Sequence, residues 1–562
     1  MNDFSTRLRI NIILIIYLLI PFSLFSQNKE AEEILNKRGE ICISFESDKN
    51  EINYFSEIIS IDKYSDNQVI GYANKVEFKN FLATKKDYSI IERNYSSKSL
   101  NVATNIEEME NWDKYPSYEI YVEMMQKFAN NFPAICKLDT IGYSVENRLL
   151  LAVKISDNVT EDEIEPEVFL SGQMHGDELV GGIVLLKLIG CLLNEYETNQ
   201  QIYNLINNLQ IYINPLANPD GTYFGGNDNV SESTRYNKNN KDLNRNFPRI
   251  DGIATYIEPE IQAMINYAEN HKFVLSLNTH SGAEVVNYPW DFFSHLPADN
   301  DWWNFVSRQY ATTVHNNSIN NYLTYLDNGI TNGYQWYSIT GSRQDYMNYF
   351  KNCREVTLEL SDTKLLPSEE INNYFNYNKN ALLNYISQAN YGLRGIITDS
   401  LTNEPIKAKV LILNHDKDNS HVFSFQNTGE YYRFLYTGNY FVNFSAEGYQ
   451  AKTIKVNINN FETQIFDIQL VDCDTCHETN NIPNSEINNI NIFPNPTNDL
   501  INIKSEENIQ EIEIFNNLGQ KIDTFFPNNT EFLINIQKYL SNFIIINIKI
   551  NGKFTVRKIV IK

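Results

Sequence analysis

The sequence predicts an α/β domain followed by two small all-β domains, and two patterns support this fold class. From Tyr115 to about residue 388, continuous apolar runs, typical of strands buried inside an α/β sheet, alternate with stretches of helical periodicity. Beyond Tyr391 the helical periodicity stops, and short alternating runs separated by Gly, Asn and Asp indicate antiparallel strands. The apolar runs lie at 168–170, 209–213, 273–277 and 356–360.

The length and charge of the chain limit what it can be. At 562 residues it exceeds one compact core, so we expect about three or four domains. It has 46 Lys plus Arg against 70 Asp plus Glu, a formal net charge of -24. Because this charge opposes attraction to phosphates and anionic lipid, we expect no nucleic-acid partner.

The N-terminus has the layout of a secretory signal peptide, assigned to residues 1–26. Arg7 and Arg9 precede an apolar run at 10–25, and Ser26 follows it. The alternative is a membrane-anchoring helix, but a proline and a serine interrupt the run, which is shorter than a comfortable span. We therefore expect export, with no transmembrane anchor in the mature chain.

The start of the α/β domain is marked by a change of pattern. Residues 27–114 contain short alternating runs without a concentration of catalytic residue types, which predicts an accessory segment or pro-segment. A helical pattern then begins at Ser117. We assign the α/β domain to residues 115–388.

Two β-domains are predicted after it, at 391–471 and 489–562. The polar, proline-containing stretch 472–488 between them predicts a linker. In the second domain, isoleucines alternate along 544–550 and are followed by Asn551-Gly552, which predicts a type I′ hairpin turn.

One motif in the predicted linker points to chemistry that we discount. The run Cys473-Asp-Thr-Cys476-His477 matches the C-x-x-C-H haem attachment pattern. A short linker has no domain to enclose haem. A local disulfide is therefore the better interpretation.

The run HGDE at 175–178 lies between a predicted strand and a long apolar helix. It places His175 and Glu178 three residues apart, where an imidazole nitrogen and a carboxylate oxygen can point at one cation. An H-x-x-E match alone is common by chance, so ordinary surface residues remain the alternative. A third ligand is needed to favour a metal site.

His280 supplies that third ligand, because it follows the apolar run at 273–277 and is expected at the same sheet edge. Two histidines and one glutamate leave a fourth position for water, as in catalytic zinc sites, whereas structural zinc sites are usually closed by four ligands and rich in cysteine. The sequence therefore predicts a catalytic metal centre.

Residues 115–387 resemble the metallocarboxypeptidase family of funnel-type zinc exopeptidases. The resemblance implies a mixed eight-stranded sheet flanked by helices, with one Zn²⁺ at the strand ends. The matching segments are HGDE, NPDG at 218–221, DLNRNFP at 242–248, NTHSG at 278–282, NYPWD at 287–291, WYSITGSRQD at 336–345 and VTLEL at 356–360.

The resemblance also implies the residues that perform the reaction. Glu359 resembles the general base, although a buried structural carboxylate is its alternative. Arg235, seven residues before Asp242, matches the arginine that stabilises the oxyanion. Asp242 resembles the carboxylate that holds His175 in its ligating tautomer.

Three further residues match the part of the family site that binds substrate. Asn244 and Arg245 resemble the pair that grips the free C-terminal carboxylate, and a planar guanidinium suits a carboxylate through two parallel hydrogen bonds. Tyr337 matches a mobile tyrosine that closes over the substrate. Together they imply an exopeptidase.

Substrate preference is implied by two positions in the family's regulatory branch. Asp291, eleven residues after His280, matches the acid that receives a basic side chain, and Gln344 matches the base of that pocket. A preference for C-terminal Lys or Arg is therefore expected. The alternative is that Asp291 only caps a turn after Pro289. The neighbouring Arg343 departs from the small or apolar residue common there and could alter the pocket.

The two β-domains carry resemblances of their own. Residues 391–471, with GNYFVNFSAEGY at 438–449, resemble the transthyretin-like module of the same regulatory branch. The last domain, with NIFPNPTNDLINI at 491–503, resembles the C-terminal sorting domain of the type nine secretion system. This implies the secretion machinery as a partner and a secreted or cell-surface location.

These observations predict a secreted, zinc-dependent carboxypeptidase acting on the C-termini of peptides or proteins. One alternative is a carboxypeptidase or amidase that acts on bacterial cell-wall peptides. Another is a catalytically silent surface-binding homologue, which the complete set of matched positions disfavours.

Overall fold

The computed structural model describes residues 28–91, 100–319, 321–473, 490–495, 497, 499–516, 521–537, 539 and 543–561. The predicted signal peptide at 1–26 and most of the predicted linker at 472–488 lie outside these residues. The chain divides into two compact units, residues 1–475 and 476–562.

The first unit is built around an eight-stranded mixed sheet, which confirms the predicted fold class. Its strand order is β13-β12-β14-β11-β9-β10-β8-β7. The pairs β14–β11, β11–β9 and β9–β10 in the middle are parallel, as is β12–β13 at one edge, whereas β12–β14, β10–β8 and β8–β7 are antiparallel. Its strands are β7 (Cys136–Tyr143), β8 (Leu149–Ile155), β9 (Glu167–Gly172), β10 (Gln210–Asn214), β11 (Phe273–His280), β12 (Glu284–Tyr288), β13 (Ile330–Asn332) and β14 (Arg354–Leu360).

Helices cover both faces of this sheet. Side chains along β9 point alternately to the two faces: Val168 and Leu170 enter one buried cluster, and Phe169 enters a second cluster on the other face. Both faces of the sheet are therefore apolar and are covered by helices. The helices are α4 (Tyr118–Asn131), α5 (Leu179–Glu195), α6 (Gln200–Ile206), α7 (Pro219–Thr222), α8 (Pro259–Glu269), α9 (Asn300–Asn317), α10 (Tyr325–Asn328), α11 (Gly333–Trp336), α12 (Arg343–Phe350) and α13 (Ile371–Ser387).

The packing of α5 against the sheet fixes the segment that precedes it. A Cβ atom at Gly181 would lie 2.2 Å from Thr279 Oγ1, and one at Gly182 would lie 1.9 Å from Gln173 Oε1. The two glycines therefore let the helix approach β9 and β11 closely. This approach holds residues 175–178 at the carboxyl ends of those strands.

Residues 28–91 form a small α/β module, called the N-terminal module here. Its antiparallel sheet has the order β2-β3-β1-β4, and Phe45, Phe55 and Phe81 pack together in its core. Its elements are α1 (residues 28–38), β1 (Glu40–Glu46), α2 (Ile52–Ser56), β2 (Ser60–Ser65), β3 (Gln68–Asn74), α3 (Lys75–Ala83) and β4 (Ser89–Ile90). The short strands β5 (Val102–Ala103) and β6 (Tyr115–Pro116) lead into the large sheet.

A β-domain follows the large sheet within the first unit. Two small sheets, of orders β18-β15-β21 and β17-β16-β19-β20, enclose a core that includes Val410, Tyr431 and Phe444, and β22 pairs with β15. The resemblance to a transthyretin-like module stays a prediction. The strands are β15 (Gly392–Asp399), β16 (Lys409–Ile412), β17 (Val422–Phe423), β18 (Glu430–Arg433), β19 (Gly438–Ser445), β20 (Lys452–Ile458), β21 (Thr463–Ile465) and β22 (Ile468–Leu470).

The second unit is a six-stranded sheet with a core composed largely of isoleucine. Asn551 and Gly552 have φ values of 51° and 74°, which confirms the predicted hairpin turn, because a type I′ turn needs positive φ at both central residues. The strands are β23 (Ile490–Phe493), β24 (Leu500–Phe515), β25 (Lys521–Phe525), β26 (Asn529–Asn535), β27 (Phe543–Ile550) and β28 (Lys553–Val560).

Two smaller sequence predictions have structural outcomes. Cys473 is disulfide-bonded, but Cys476 lies outside the described residues, so the local disulfide between them stays a prediction. Within the described ranges, no single helix is long and apolar enough to cross a bilayer. Together α5 and α6 would be long and apolar enough, but they meet at a bend of 101°, and most residues of α5 are buried in the protein.

Candidate active site

The three predicted metal ligands meet at one edge of the large sheet. His175 and Glu178 lie between β9 and α5, and His280 is the last residue of β11. Because β9 and β11 pair in parallel, their carboxyl ends lie side by side. The neighbouring strand β14 then places Glu359 opposite His280 in the same register.

Donor atoms of these three residues form a tight buried cluster. His175 Nδ1 lies 3.0 Å from Glu178 Oε1, His280 Nδ1 lies 2.8 Å from Glu178 Oε2, and the two Nδ1 atoms are 3.1 Å apart. One ligand atom from each residue lies within 4.8 Å of the others. The predicted convergence of two imidazoles and one carboxylate is therefore present.

The protonation states of His280 and Glu178 suit metal binding. Burial lowers the pKa of His280 to about 4, although Glu178 opposes this shift, so its imidazole is neutral near pH 7. Burial alone would raise the pKa of Glu178, but the charges of His175 and Lys364 hold it well below its ordinary value. A neutral imidazole and an ionised carboxylate are the forms that bind a cation. Burial alone would lower the pKa of His175, but the charges of Glu178 and Asp242 raise it above its ordinary value, so a metal ion must compete with a proton for this ligand.

Asp242 fixes the far side of the His175 ring. Its Oδ1 lies 3.0 Å from His175 Nε2, which leaves Nδ1 directed at the cluster. The same oxygen accepts the backbone N–H of Asn244 at 2.8 Å. Arg235 Nε donates to Asp242 Oδ2 at 3.3 Å, and Arg235 Nη1 donates to Glu178 Oε1 at 3.1 Å. The predicted oxyanion arginine therefore lies directly beside the cluster.

Glu359 lines the cavity next to this cluster and is poorly solvated. Burial raises its pKa well above the ordinary value, and the negative charges of Glu178 and Asp62 raise it further. Its buried Oε2 has no hydrogen-bond partner among the described residues. A carboxylate in this environment accepts a proton more readily than a solvated glutamate does.

Asn244, Arg245 and Tyr337 line the same cavity. Asn244 Oδ1 accepts the backbone N–H of Arg343 at 3.0 Å, which fixes the amide. Arg245 Nη1 donates to the Asn244 carbonyl at 3.0 Å, and its buried Nε is unpaired within the part of the chain that the structure describes. These donors face the space in which a substrate carboxylate is expected.

Asp291 also lines the cavity, whereas Gln344 is not among the lining residues and contacts the site through Asp291. Asp291 Oδ1 accepts from Asn287 Nδ2 at 3.1 Å and from Gln344 Nε2 at 3.0 Å, and its Oδ2 accepts from Ser342 Oγ at 2.7 Å. Arg343 points away, under the sheet, where its guanidinium lies 3.1 Å from Glu355 and over the ring of Phe169.

Comparisons with known proteins agree with this geometry. The family model described as zinc carboxypeptidase matches residues 121–381. The rat carboxypeptidase N catalytic chain is 32% identical over 400 residues, which cover 64% of this chain and 86% of that protein. The chain belongs to the zinc carboxypeptidase family.

Other similar proteins extend the comparison. Human carboxypeptidase D is 34% identical over 361 residues, or 62% of this chain, but the match spans only 26% of that relative's length. Carboxypeptidase A from Helicoverpa armigera, a solved structure, is 20% identical, with 63% of this chain and 98% of that chain covered and a TM-score of 0.49. A secretion system C-terminal sorting domain matches residues 491–562 and indicates export, to the cell surface or the medium.

Zinc, the metal used by this family, fits the donor set. In a tetrahedral site with bonds of about 2.0–2.1 Å, donor atoms lie about 3.3–3.4 Å apart. The donors here are 2.8–3.1 Å apart, so a movement of a few tenths of an ångström would accommodate the ion. Two histidines and one glutamate without a cysteine are typical of a catalytic zinc carboxypeptidase site.

Sequence reasoning missed four residues of this site. Asn287 and Ser342 hold the Asp291 carboxylate, although both lay within segments that matched the family. Lys364, five residues after Glu359, places its Nζ 3.2 Å from Glu178 Oε1. Asp62 belongs to the N-terminal module and reaches the cavity from far along the chain. No sequence pattern could have indicated Asp62, because its position depends on how the module packs.

Proposed function

We propose that the protein is a zinc carboxypeptidase that removes the C-terminal residue of peptides or proteins and prefers Lys or Arg. The observation that carries the proposal is that one cavity is lined by the metal-binding cluster, by Glu359 and by Arg245. A hydrolytic centre and a cation that can bind a carboxylate in the same cavity are what an exopeptidase requires.

Glu359 is the group proposed to move protons. Bound zinc would polarise the scissile carbonyl and make a water molecule acidic enough to attack it near pH 7. Glu359 accepts a proton from the attacking water and returns it to the amine nitrogen as the C–N bond breaks. The raised pKa makes the ionised Glu359 a stronger proton acceptor than a solvated glutamate, and the protonated form then donates to the amine nitrogen.

Arg235, Arg245 and Asn244 are proposed to orient the substrate. Arg235 lies beside the metal ligands, where its guanidinium can stabilise negative charge on the carbonyl oxygen. Arg245 and Asn244 bind the terminal carboxylate, with Tyr337 closing over it. Charge-assisted hydrogen bonds of this kind fix both orientation and register.

The preference for basic residues is supported by the surroundings of Asp291, which lines the cavity. Asp291 is 3% exposed and receives hydrogen bonds only from neutral side chains among the described residues. The buried oxygens Asn287 Oδ1 and Gln344 Oε1 also lack hydrogen-bond partners there. A Lys or Arg side chain of the substrate would neutralise this carboxylate and donate hydrogen bonds to the two unpaired amide oxygens, because it brings a positive charge and several N–H donors.

A panel of peptides that differ only in the C-terminal residue tests this function. We expect release of single C-terminal residues, fastest for Arg and Lys, and loss of release after zinc is removed with a chelator. Glu359→Gln should keep one zinc per chain and lose turnover. Internal cleavage, or release that is insensitive to the chelator, would contradict the proposal.

The C-terminal unit is proposed to contact the secretion machinery. Its match to a secretion sorting domain supports this role. Deletion of residues 490–562 should leave the protein inside the producing cells while the wild type reaches the surface or the medium. Equal export of both forms would contradict this role.

A further inference from the structure

A second cavity lies where the α/β domain meets the β-domain that follows it. Its volume is about 290 Å³. One wall comes from the C-terminal ends of α8 and α12 and from the start of β11, and the other comes from β17 and the residues around it. Pockets for small molecules often form at such domain boundaries, and their volumes begin at about 300 Å³. The cavity is therefore large enough for a small organic molecule.

Aromatic and aliphatic side chains form much of the wall. Phe273 of the α/β domain and Val422 of the β-domain are both buried there. Phe350 and Phe423 also line the cavity but are 42% and 38% exposed, so they lie at its rim. A ligand with an aromatic body would remove these apolar surfaces from water. The wall therefore favours such a ligand.

Two lysines, one from each domain, line the same cavity. Lys351, just after α12, and Lys407, just before β16, form no ion pair or hydrogen bond with the residues that the structure describes. Burial lowers the pKa of Lys351, Glu269 opposes this shift, and the charge of Lys407 adds to it. The two ammonium groups therefore repel each other, and an anion bound by both would relieve this repulsion.

A third lysine at the boundary has acidic partners. Lys272, just before β11, lies 2.7 Å from Glu430 of β18 and 3.0 Å from Asp162. It is therefore neutralised within the protein, and it joins the two domains without a ligand. Lys351 and Lys407 have no such partner in the described part of the chain, which distinguishes them from a lysine that only joins domains.

The remaining charges of the lining leave a small positive excess. His271 lies 3.5 Å from the carboxylate of Glu167. Glu269 is the acid that lines the cavity, and it is exposed. Lys351 and Lys407 against Glu269 leave one positive charge, in a chain whose formal net charge is -24. A ligand with one negative charge would balance this excess.

The same features favour a carboxylate over a phosphate ester. A phosphate ester carries a charge of about −1.5 to −2 near pH 7 and is commonly bound by arginine or by a helix N-terminus. The described lining contains no arginine, and α8 and α12 both reach the cavity with their C-terminal ends. A helix C-terminus carries partial negative charge, which disfavours a dianion most strongly.

We propose that this cavity is a binding site for a small aromatic carboxylate. Its carboxylate group pairs with Lys351 and Lys407, and its ring packs against Phe273, Phe350 and Phe423. The site is separate from the proposed catalysis, because none of these five residues lines the catalytic cavity. Lys351 is the more buried of the two lysines, so water screens its ion pair less and its contribution is the larger.

Calorimetric titration of the full chain with 4-phenylbutyrate tests the proposal. The neutral 4-phenylbutyramide is the size-matched control ligand, and phenyl phosphate tests the head group. Lys351→Gln and Lys407→Gln each remove one cation, and Lys455→Gln, on an exposed residue of the same β-domain as Lys407, is the charge-matched control. Arg245→Gln tests for binding in the catalytic cavity, where Arg245 is the proposed carboxylate partner.

We expect a Kd below about 1 mM for 4-phenylbutyrate. The amide should bind at least about tenfold more weakly, and so should each variant of the two lining lysines, with the larger loss in Lys351→Gln. Lys455→Gln and Arg245→Gln should bind like the wild type. Because Lys407 is exposed, weaker binding by Lys407→Gln cannot be explained by a folding defect.

Several results would overturn the site. They are failure of the wild type to bind, equal affinity for the acid and the amide, and unchanged affinity in Lys407→Gln. Weaker binding in Arg245→Gln alone would place the ligand in the catalytic cavity instead. Tighter binding of phenyl phosphate than of 4-phenylbutyrate would overturn the assignment to a carboxylate.

Discussion

Replacing Asp291 by asparagine tests the proposed pocket for basic residues. The amide keeps the volume of the carboxylate and can still accept from Ser342 or from Gln344, so the fold should tolerate it. What it removes is the negative charge. The effect should therefore fall on substrates with a positive C-terminal side chain and spare the others.

The size of the effect follows from the burial of the site. Asp291 is 3% exposed, and a substrate cation about 4 Å away would interact with it by about 4 kcal/mol at an effective dielectric of 20. Partial compensation by the amide oxygen reduces this, so we expect a loss of about 100–1,000-fold in kcat/KM for Arg-ended peptides. Burial raises the pKa of Asp291, so in the wild type the preference for Arg should also weaken as pH falls and the carboxyl group takes up a proton.

The assay measures kcat/KM for peptide pairs ending in Arg and Leu. Leu-ended peptides should change by less than about threefold, because an apolar side chain gains little from the charge. Asp327→Asn, whose side chain is 78% exposed, is the control for loss of one negative charge. An equal loss on both peptides would refute the pocket assignment.

Four further outcomes are expected. Glu359→Gln should lower kcat by about 100-fold or more while zinc content stays unchanged; wild-type turnover would contradict its role. Arg245→Lys should raise KM for every peptide, because one ammonium cannot replace two parallel hydrogen bonds, and an unchanged KM would argue against carboxylate binding. Gly333→Ala should impair Arg-ended substrates, since its Cβ would lie 2.1 Å from Asp291 Oδ1, and unaltered Arg turnover would show that the pocket lies elsewhere. Burial lowers the pKa of His421 from 6.5 to about 4, so between these pH values the unfolded chain binds more protons than the folded chain. The free energy of unfolding should therefore decrease as the pH falls from 6.5 to about 4, and His421→Gln should flatten this part of the pH profile of urea unfolding. An unaltered slope would contradict the shift.

Much of the fold could be predicted because the local signals were strong. The apolar runs at 168–170 and 356–360 became strands β9 and β14, each a little longer than the run itself. Ser117 is the N-cap of α4, as the start of the helical pattern suggested. Burial on both faces of a parallel sheet leaves a continuous apolar run in the sequence, which is why these strands were visible.

The metal ligands could be predicted because each lies at the end of such a strand. The apolar run at 273–277 was sufficient to predict the position of His280, and the strand extends to His280 itself. Arg343 was less predictable, because its direction depends on a salt bridge with Glu355 on the neighbouring strand. Its guanidinium pairs with Glu355, and its side chain is not among those that line the cavity.

The contacts of the N-terminal module were not predictable. Asp62 and Arg235 are 173 residues apart, and the short runs around Ile61 carry no catalytic pattern. Lys364 was missed for a related reason, since a single lysine after a strand is ordinary until its buried partners are known. Such pairings are set by docking of one folded module on another, for which the sequence has no local periodicity.

The coordination of the metal tests the central claim most directly. X-ray absorption at the zinc edge, on protein whose zinc content has been measured, reports the ligand types and distances. The account predicts one zinc per chain, bound by nitrogen and oxygen at about 2.0–2.2 Å, with the nitrogen contribution reduced or the zinc lost in His280→Ala. A shell containing sulfur at about 2.3 Å, or zinc that is unaffected by His280→Ala, would contradict it.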